Sequence, residues 1–77
     1  MIYTELDSSM IDPVGYDEKA QVLEVRFISS GGTYRYLNVP KEEYTGLMQA
    51  SSKGRYMLNN IIEGYDFYKI GGRKRRR

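Results

Sequence analysis

The chain has 77 residues and contains no cysteine, histidine or tryptophan, so it can form no disulfide, no Cys/His zinc site and no Ser-His or Cys-His catalytic pair. Its formal charge of +2 divides in two: Arg73, Lys74, Arg75, Arg76 and Arg77 supply +5, which leaves 7 basic against 10 acidic side chains in residues 1–72, a net of −3. The pI near 8.9 belongs to that closing run and is no evidence that the body binds nucleic acid.

Residues 1–70 are expected to form a single domain, near the lower size at which one hydrophobic core suffices, followed by a flexible basic tail over residues 71–77. Residues 1–5, Met-Ile-Tyr-Thr-Glu, lack the basic region and apolar run of a signal peptide, and no apolar stretch approaches the length of a membrane span. A cytoplasmic protein with no membrane partner is the default expectation. Carboxylates, hydroxyls, Lys and Arg remain as chemical groups, and none falls in a catalytic signature, so an enzyme is not expected. Asp12, Asp17 and Glu18 fit no EF-hand spacing and read as turn residues that bond their own backbone, so neither a metal nor a cofactor is expected.

In chain order, residues 10–16 read as a strand, with Pro13 suited to an edge or a bulge. Leu23, Val25 and Phe27 alternate with Glu24 and Arg26, the period-two pattern of a half-buried strand. Residues 29–32, Ser-Ser-Gly-Gly, form a turn, and residues 33–37 a return strand with Tyr34 and Tyr36 on one face and Arg35 on the other. Pro40 followed by Lys41-Glu42-Glu43 opens a helix whose buried face carries Tyr44, Leu47 and Met48. Ser52 is the expected N-cap of a second helix, with Met57, Ile61 and Tyr65 in one stripe, Leu58 and Ile62 beside it, and Gly64 at its end. Residues 65–70 read as extended, either a short fourth strand or a docked arm. The expected fold is therefore α+β: a three-stranded antiparallel meander followed by two helices packed on one face, with that short fourth strand as an addition.

Two features have functional readings. The Tyr34/Tyr36 pair is either a base-stacking platform or core bulk under the helices. The run Ser52-Lys53-Gly54-Arg55 at a helix start offers N–H groups and two cations to a phosphate, or else a cap and a solvated pair, with glycine for close packing.

Ser9, Ile11, Gly15-Tyr16-Asp17, Leu23, Val25, Phe27, Tyr34-Arg35-Tyr36, Val39-Pro40, Tyr44, Leu47, Ala50 and Ser52-Lys53-Gly54-Arg55-Tyr56 stand in an order that resembles the KTSC domain over residues 8–70. That module takes its name from the C-terminus of some lysyl-tRNA synthetases and also occurs as a stand-alone bacterial or phage protein; its synthetase context suggests RNA binding. Members commonly carry Phe-Asn where this chain has Met57-Leu58, and Arg where it has Ile62, which removes polar and basic groups from the second helix. The resulting expectation is a small non-enzymatic module that binds RNA or another nucleotide-type anion, with Tyr34, Tyr36, Ser52, Lys53, Gly54, Arg55 and Tyr56 as ligand-binding residues. The alternatives are a protein-interaction or homo-oligomeric module, favoured by the apolar surplus at Met57, Leu58 and Ile62, and a sponge that sequesters a nucleotide.

Overall fold

The computed structural model describes residues 2–4 and 10–71. The sheet has five strands, not three: β1 (Ile2–Thr4), β2 (Ile11–Asp17), β3 (Val22–Phe27), β4 (Thr33–Tyr36) and β5 (Phe67–Gly71), antiparallel throughout and in the spatial order of the chain. The expected three-stranded meander is its centre, and it gains an edge strand on each side. The N-terminal strand is too short to show a period, and β5 is the segment over 65–70 now paired against β4, with Gly71 as its last residue. The expected flexible tail from residue 72 onward lies outside the described residues, as does Ser9.

Two helices follow β4: α1 (Lys41–Gln49) and α2 (Lys53–Tyr56), the latter continued by a π-helical segment, Met57–Ile61. Pro40 is the residue before the first helical turn, which opens on Glu42 and Glu43 at its positive end. Ser52 Oγ accepts the Arg55 N–H and so caps α2. The π-helical turn closes with an Ile62 N–H to Met57 carbonyl bond of 2.8 Å.

Strand β2 shows how sequence becomes register. Ile11 and Val14 are three apart, which in a regular strand would place them on opposite faces. A bulge at Asp12-Pro13 inserts one extra residue, so that Ile11 faces Phe27 and Val14 faces Val25, and both reach the core. Pro13, which has no N–H to give to a ladder, lies within this bulge.

The core lies between the sheet and the helices. Ile11, Val14, Leu23, Val25, Val39, Leu47, Met57 and Ile61 are fully buried, joined by Tyr16 and Tyr36. The Tyr16 ring stacks on Tyr44 of α1 at 4.7 Å, and its hydroxyl donates to the Val39 carbonyl, pinning the β4–α1 link to β2. Asp17 accepts the Lys19 and Ala20 N–H groups and so holds the β2–β3 turn.

The outer face carries a polar row. The register sets Tyr3, Gly15, Glu24, Arg35 and Tyr68 side by side, one from each strand. Glu24 is only 8% exposed although none of the described helices covers this face. Arg35 Nε donates to Glu24 Oε1 at 2.9 Å, Tyr68 stands beside the guanidinium on the next strand, and on the other side Glu24 raises the Tyr3 phenol above its ordinary pKa. Gly15 between them has no side chain to obstruct Tyr3. One carboxylate thus lies between the two edge strands, with Tyr3 of β1 on one side and Arg35, next to Tyr68 of β5, on the other.

Glu24→Gln should cost about 1–3 kcal/mol of unfolding free energy, since it weakens a charged hydrogen-bond pair in a desolvated setting. Urea unfolding gives the loss, and amide exchange should rise first in β1 and β5. Unchanged protection at both edges would show that the row does not hold them.

Candidate functional site

Two grooves flank the π-helical segment. The larger, about 360 Å³, is lined by Phe27, Ser29, Ser30, Tyr34, Tyr36, Ile62 and Phe67. It exists because the inner face of the sheet continues past the helices. The helical layer buries the inner residues of β2 and β3 and the end of β4, whereas every residue of β5 is exposed.

Three rings form its wall. Tyr34 meets Phe27 edge-on at 5.6 Å and Phe67 edge-on at 5.7 Å, and Phe67 also leans on Tyr36 at 5.4 Å. Phe67 stays 51% exposed, whereas Tyr36 is 2% exposed and forms the floor. Lys69 pairs with Tyr34 across β4 and β5 and therefore shares its face. Both side chains crowd Gly32, where a Cβ would lie 3.2 Å from Tyr34 Cε1 and 3.3 Å from Lys69 Cε. The turn before it is drawn tight by Gly31, at φ 73°, and by a Ser30 Oγ to Gly32 N–H bond. The result is an aromatic trough with a cation at its margin.

The smaller groove, about 270 Å³, is lined by Ala50, Ser51, Ser52, Arg55, Tyr56, Asn59 and Asn60. Here the structure separates the residues singled out in the sequence. Arg55 is exposed at the groove. Lys53 Nζ donates to the Ala50 carbonyl at 2.8 Å, closing the end of α1, and Ser52 Oγ is engaged as a cap. Gly54 is buried where a Cβ would collide with Met10 Sδ and lie 3.0 Å from its Cβ, so its role is close packing. Tyr56 lies across Gly46 of α1, which has no room for a Cβ beneath the ring, and its hydroxyl donates to Glu43 Oε1 at 2.6 Å. Tyr65 donates to Glu43 Oε2 at 2.8 Å. Glu43 therefore gathers two phenols and locks α2 and the Tyr65 turn onto α1.

Of the residues named from sequence, Tyr34 lines the trough and Tyr36 floors it, Ser52, Arg55 and Tyr56 border the smaller groove, and Lys53 and Gly54 serve the fold. Sequence reasoning did not anticipate Phe67, Ile62 or Lys69 as neighbours of Tyr34. Phe27 was legible as an inner-face residue, but only the pairing of β4 with β5 reveals the trough. Among the described residues no cluster of acidic side chains is arranged to hold a metal ion, and no helix is long and apolar enough to cross a membrane.

A protein-family model of the KTSC domain matches residues 7–65. The chain belongs to the KTSC domain family. Its fold is similar to the crystal structure of a KTSC domain protein from Yersinia pestis, with a TM-score of 0.86 and 37% identity, covering 91% of this chain and 97% of that one. An uncharacterized protein of Stutzerimonas stutzeri is 49% identical over 67 residues, 84% of this chain and 92% of that relative. A protein of Tsukamurella paurometabola is 41% identical over 58 residues, 75% of this chain and 84% of its own length. The family match ends before β5, so the strand that supplies Phe67 and Lys69 stands beyond the matched KTSC segment.

The Glu43 cluster makes a pH prediction. Its hydrogen bond pushes the Tyr56 phenol up to about 12 from the ordinary 10.0, with burial adding to the rise, and Tyr65 is raised by burial and then by the same carboxylate. The folded state holds these protons more tightly than the unfolded chain. Their contribution is fully present below the ordinary tyrosine pKa near 10 and is lost as pH rises from there through about 12. Stability followed by circular dichroism should therefore fall across that window. Glu43→Gln should flatten the fall and bring one slow-titrating phenol, read by tyrosinate absorbance, back toward 10.0. An unaltered titration in Glu43→Gln would remove the carboxylate as the cause.

Proposed function

We propose that this KTSC domain protein is a non-catalytic binding module whose ligand is an unpaired nucleobase, presented by single-stranded RNA or a free nucleotide and held in the Phe27–Tyr34–Phe67 trough. The observation that supports this reading is the half-exposed Phe67 ring beside Tyr34, with Lys69 on the same face. Exposed aromatic rings on a sheet hold bases by stacking, independently of base identity, and a neighbouring ammonium meets the attached phosphate. The groove volume suits one base with part of its sugar. Ser29 and Ser30 place hydroxyls at the rim, where base edges can be read.

Electrostatics sets the scale. Residues 1–72 carry a net of −3, so a long polyanion lying across the body is repelled. Lys69 beside the trough and Arg55 at the smaller groove are local cations, enough for on the order of one or two phosphates. A short ligand with one strongly held base fits this balance better than a duplex.

Titration of a short oligouridine, followed by tyrosine fluorescence in this tryptophan-free chain, tests the reading. Tyr34→Ala and Phe67→Ala should each weaken binding by about 1–3 kcal/mol, roughly 5- to 150-fold in Kd. A chain ending at Gly71 should retain the base-dependent part and lose most of the salt dependence. Binding that vanishes with residues 72–77 and ignores both aromatic substitutions would reduce the interaction to tail electrostatics.

A further inference from the structure

Strand β5 ends the sheet on one side, and among the described residues no strand pairs with its outer edge. The Leu37 N–H donates to the Asp66 carbonyl at 2.8 Å, so residue 66 turns its backbone groups toward β4. Peptide groups in an antiparallel ladder alternate in direction, and the register Tyr36 with Phe67, Arg35 with Tyr68 and Tyr34 with Lys69 carries that alternation along β5. Tyr68 therefore also faces β4, while the N–H and C=O groups of Phe67 and Lys69 face outward. Phe67, Tyr68 and Ile70 are all exposed on this strand, and no proline interrupts it.

We propose that this edge pairs with the β5 edge of a second copy of the chain, antiparallel and centred on Tyr68. The outward-facing positions 67 and 69 lie symmetrically about 68, so the edge is complementary to itself. Phe67 of one copy exchanges both backbone hydrogen bonds with Lys69 of the other, and Lys69 with Phe67, giving four bonds around a two-fold axis. Cross-strand partners share a face. Lys69 of the second copy is thereby set beside the half-exposed Phe67 ring, a favourable cation–π pair. On the outer face the two Tyr68 rings adjoin.

Charge is consistent with this register, since each Lys69 meets a Phe67 ring of the other copy and not the like-charged Lys69. The two troughs then lie side by side across one ten-stranded sheet, each with an added lysine at its rim. The pairing stands on the backbone of β5 and does not depend on what the trough binds.

Sedimentation equilibrium of the full chain should give a species of twice the 9.0 kDa monomer mass at micromolar concentration. Lys69→Pro, which removes one outward N–H, should return it to monomer. The register is tested separately with single cysteines in this cysteine-free chain, under a glutathione redox buffer. Facing non-hydrogen-bonded residues have Cα atoms about 4.5 Å apart, so Tyr68→Cys should form a disulfide-linked dimer. Ile70→Cys, on the same outer face but four residues from its own copy along the ladder, lies roughly 13 Å from it and should give at least tenfold less. A wild-type chain that is strictly monomeric, or equal cross-linking at the two positions, would overturn the proposal.

Discussion

The helical layer of this domain is narrower than its sheet, and the rest of the structure follows from that mismatch. Helix α1 and the α2/π-helical segment seal β2, β3 and one end of β4, where ten of the described residues form the core. Nothing among the described residues seals the inner face of β5. A sheet face left uncovered would ordinarily be made polar, as the cost of exposing apolar area in water dictates. Here it carries Phe67 against Tyr34 and Phe27, so the uncovered part is aromatic. That departure is the structural reason to place a ligand there.

The outer face shows how such an arrangement keeps its edges. Both outer strands are short, and β1 spans only three residues. All of β5 is exposed, as are Tyr3 and Thr4 of β1. Glu24 lies between them. Its buried carboxylate accepts from Arg35, which stands beside Tyr68 of β5, and its charge is felt by the Tyr3 phenol of β1. A desolvated ion pair is weak evidence for stability in general, but Arg35 is the cross-strand neighbour of Glu24 and Tyr3 lies in the same row across Gly15, so the pair favours this register of the strands. The position of Phe67, and with it the trough, depends on this row.

Much of the centre was legible in the sequence. The alternation through Leu23, Val25 and Phe27, the turn at residues 29–32 and the Ser52 cap all stand where their periodicity and chemistry put them. The N-terminal edge was not legible, and the C-terminal one was legible only as an extended segment with a fourth strand as one reading, for a physical reason. Ile2–Thr4 contains too few residues for alternation to be visible, and β5 becomes a strand only because β4 offers it hydrogen bonds. The π-helical turn has no local signal either, since Met57 and Ile61 fit an ordinary helical stripe equally well. The same division runs through the site. Tyr34 and Tyr36 look equivalent in sequence, but the helices reach Tyr36 and stop short of Tyr34. Gly54, read as part of a phosphate loop, is fixed by its contact with Met10, a residue more than forty positions away.

Membership of the KTSC family places the fold, and the relatives match over most of their lengths. The functional reading rests on a smaller piece of the molecule, the junction of β3, β4 and β5. The most direct measurement is an NMR titration of the chain ending at Gly71 with uridine monophosphate, observing the aromatic ring signals. The account predicts that Phe27, Tyr34 and Phe67 shift together and show contacts to the base, while the stacked pair Tyr16 and Tyr44 stays still. Shifts confined to the outer-face rings of Tyr3 and Tyr68, or no saturable shift at any ring, would contradict it.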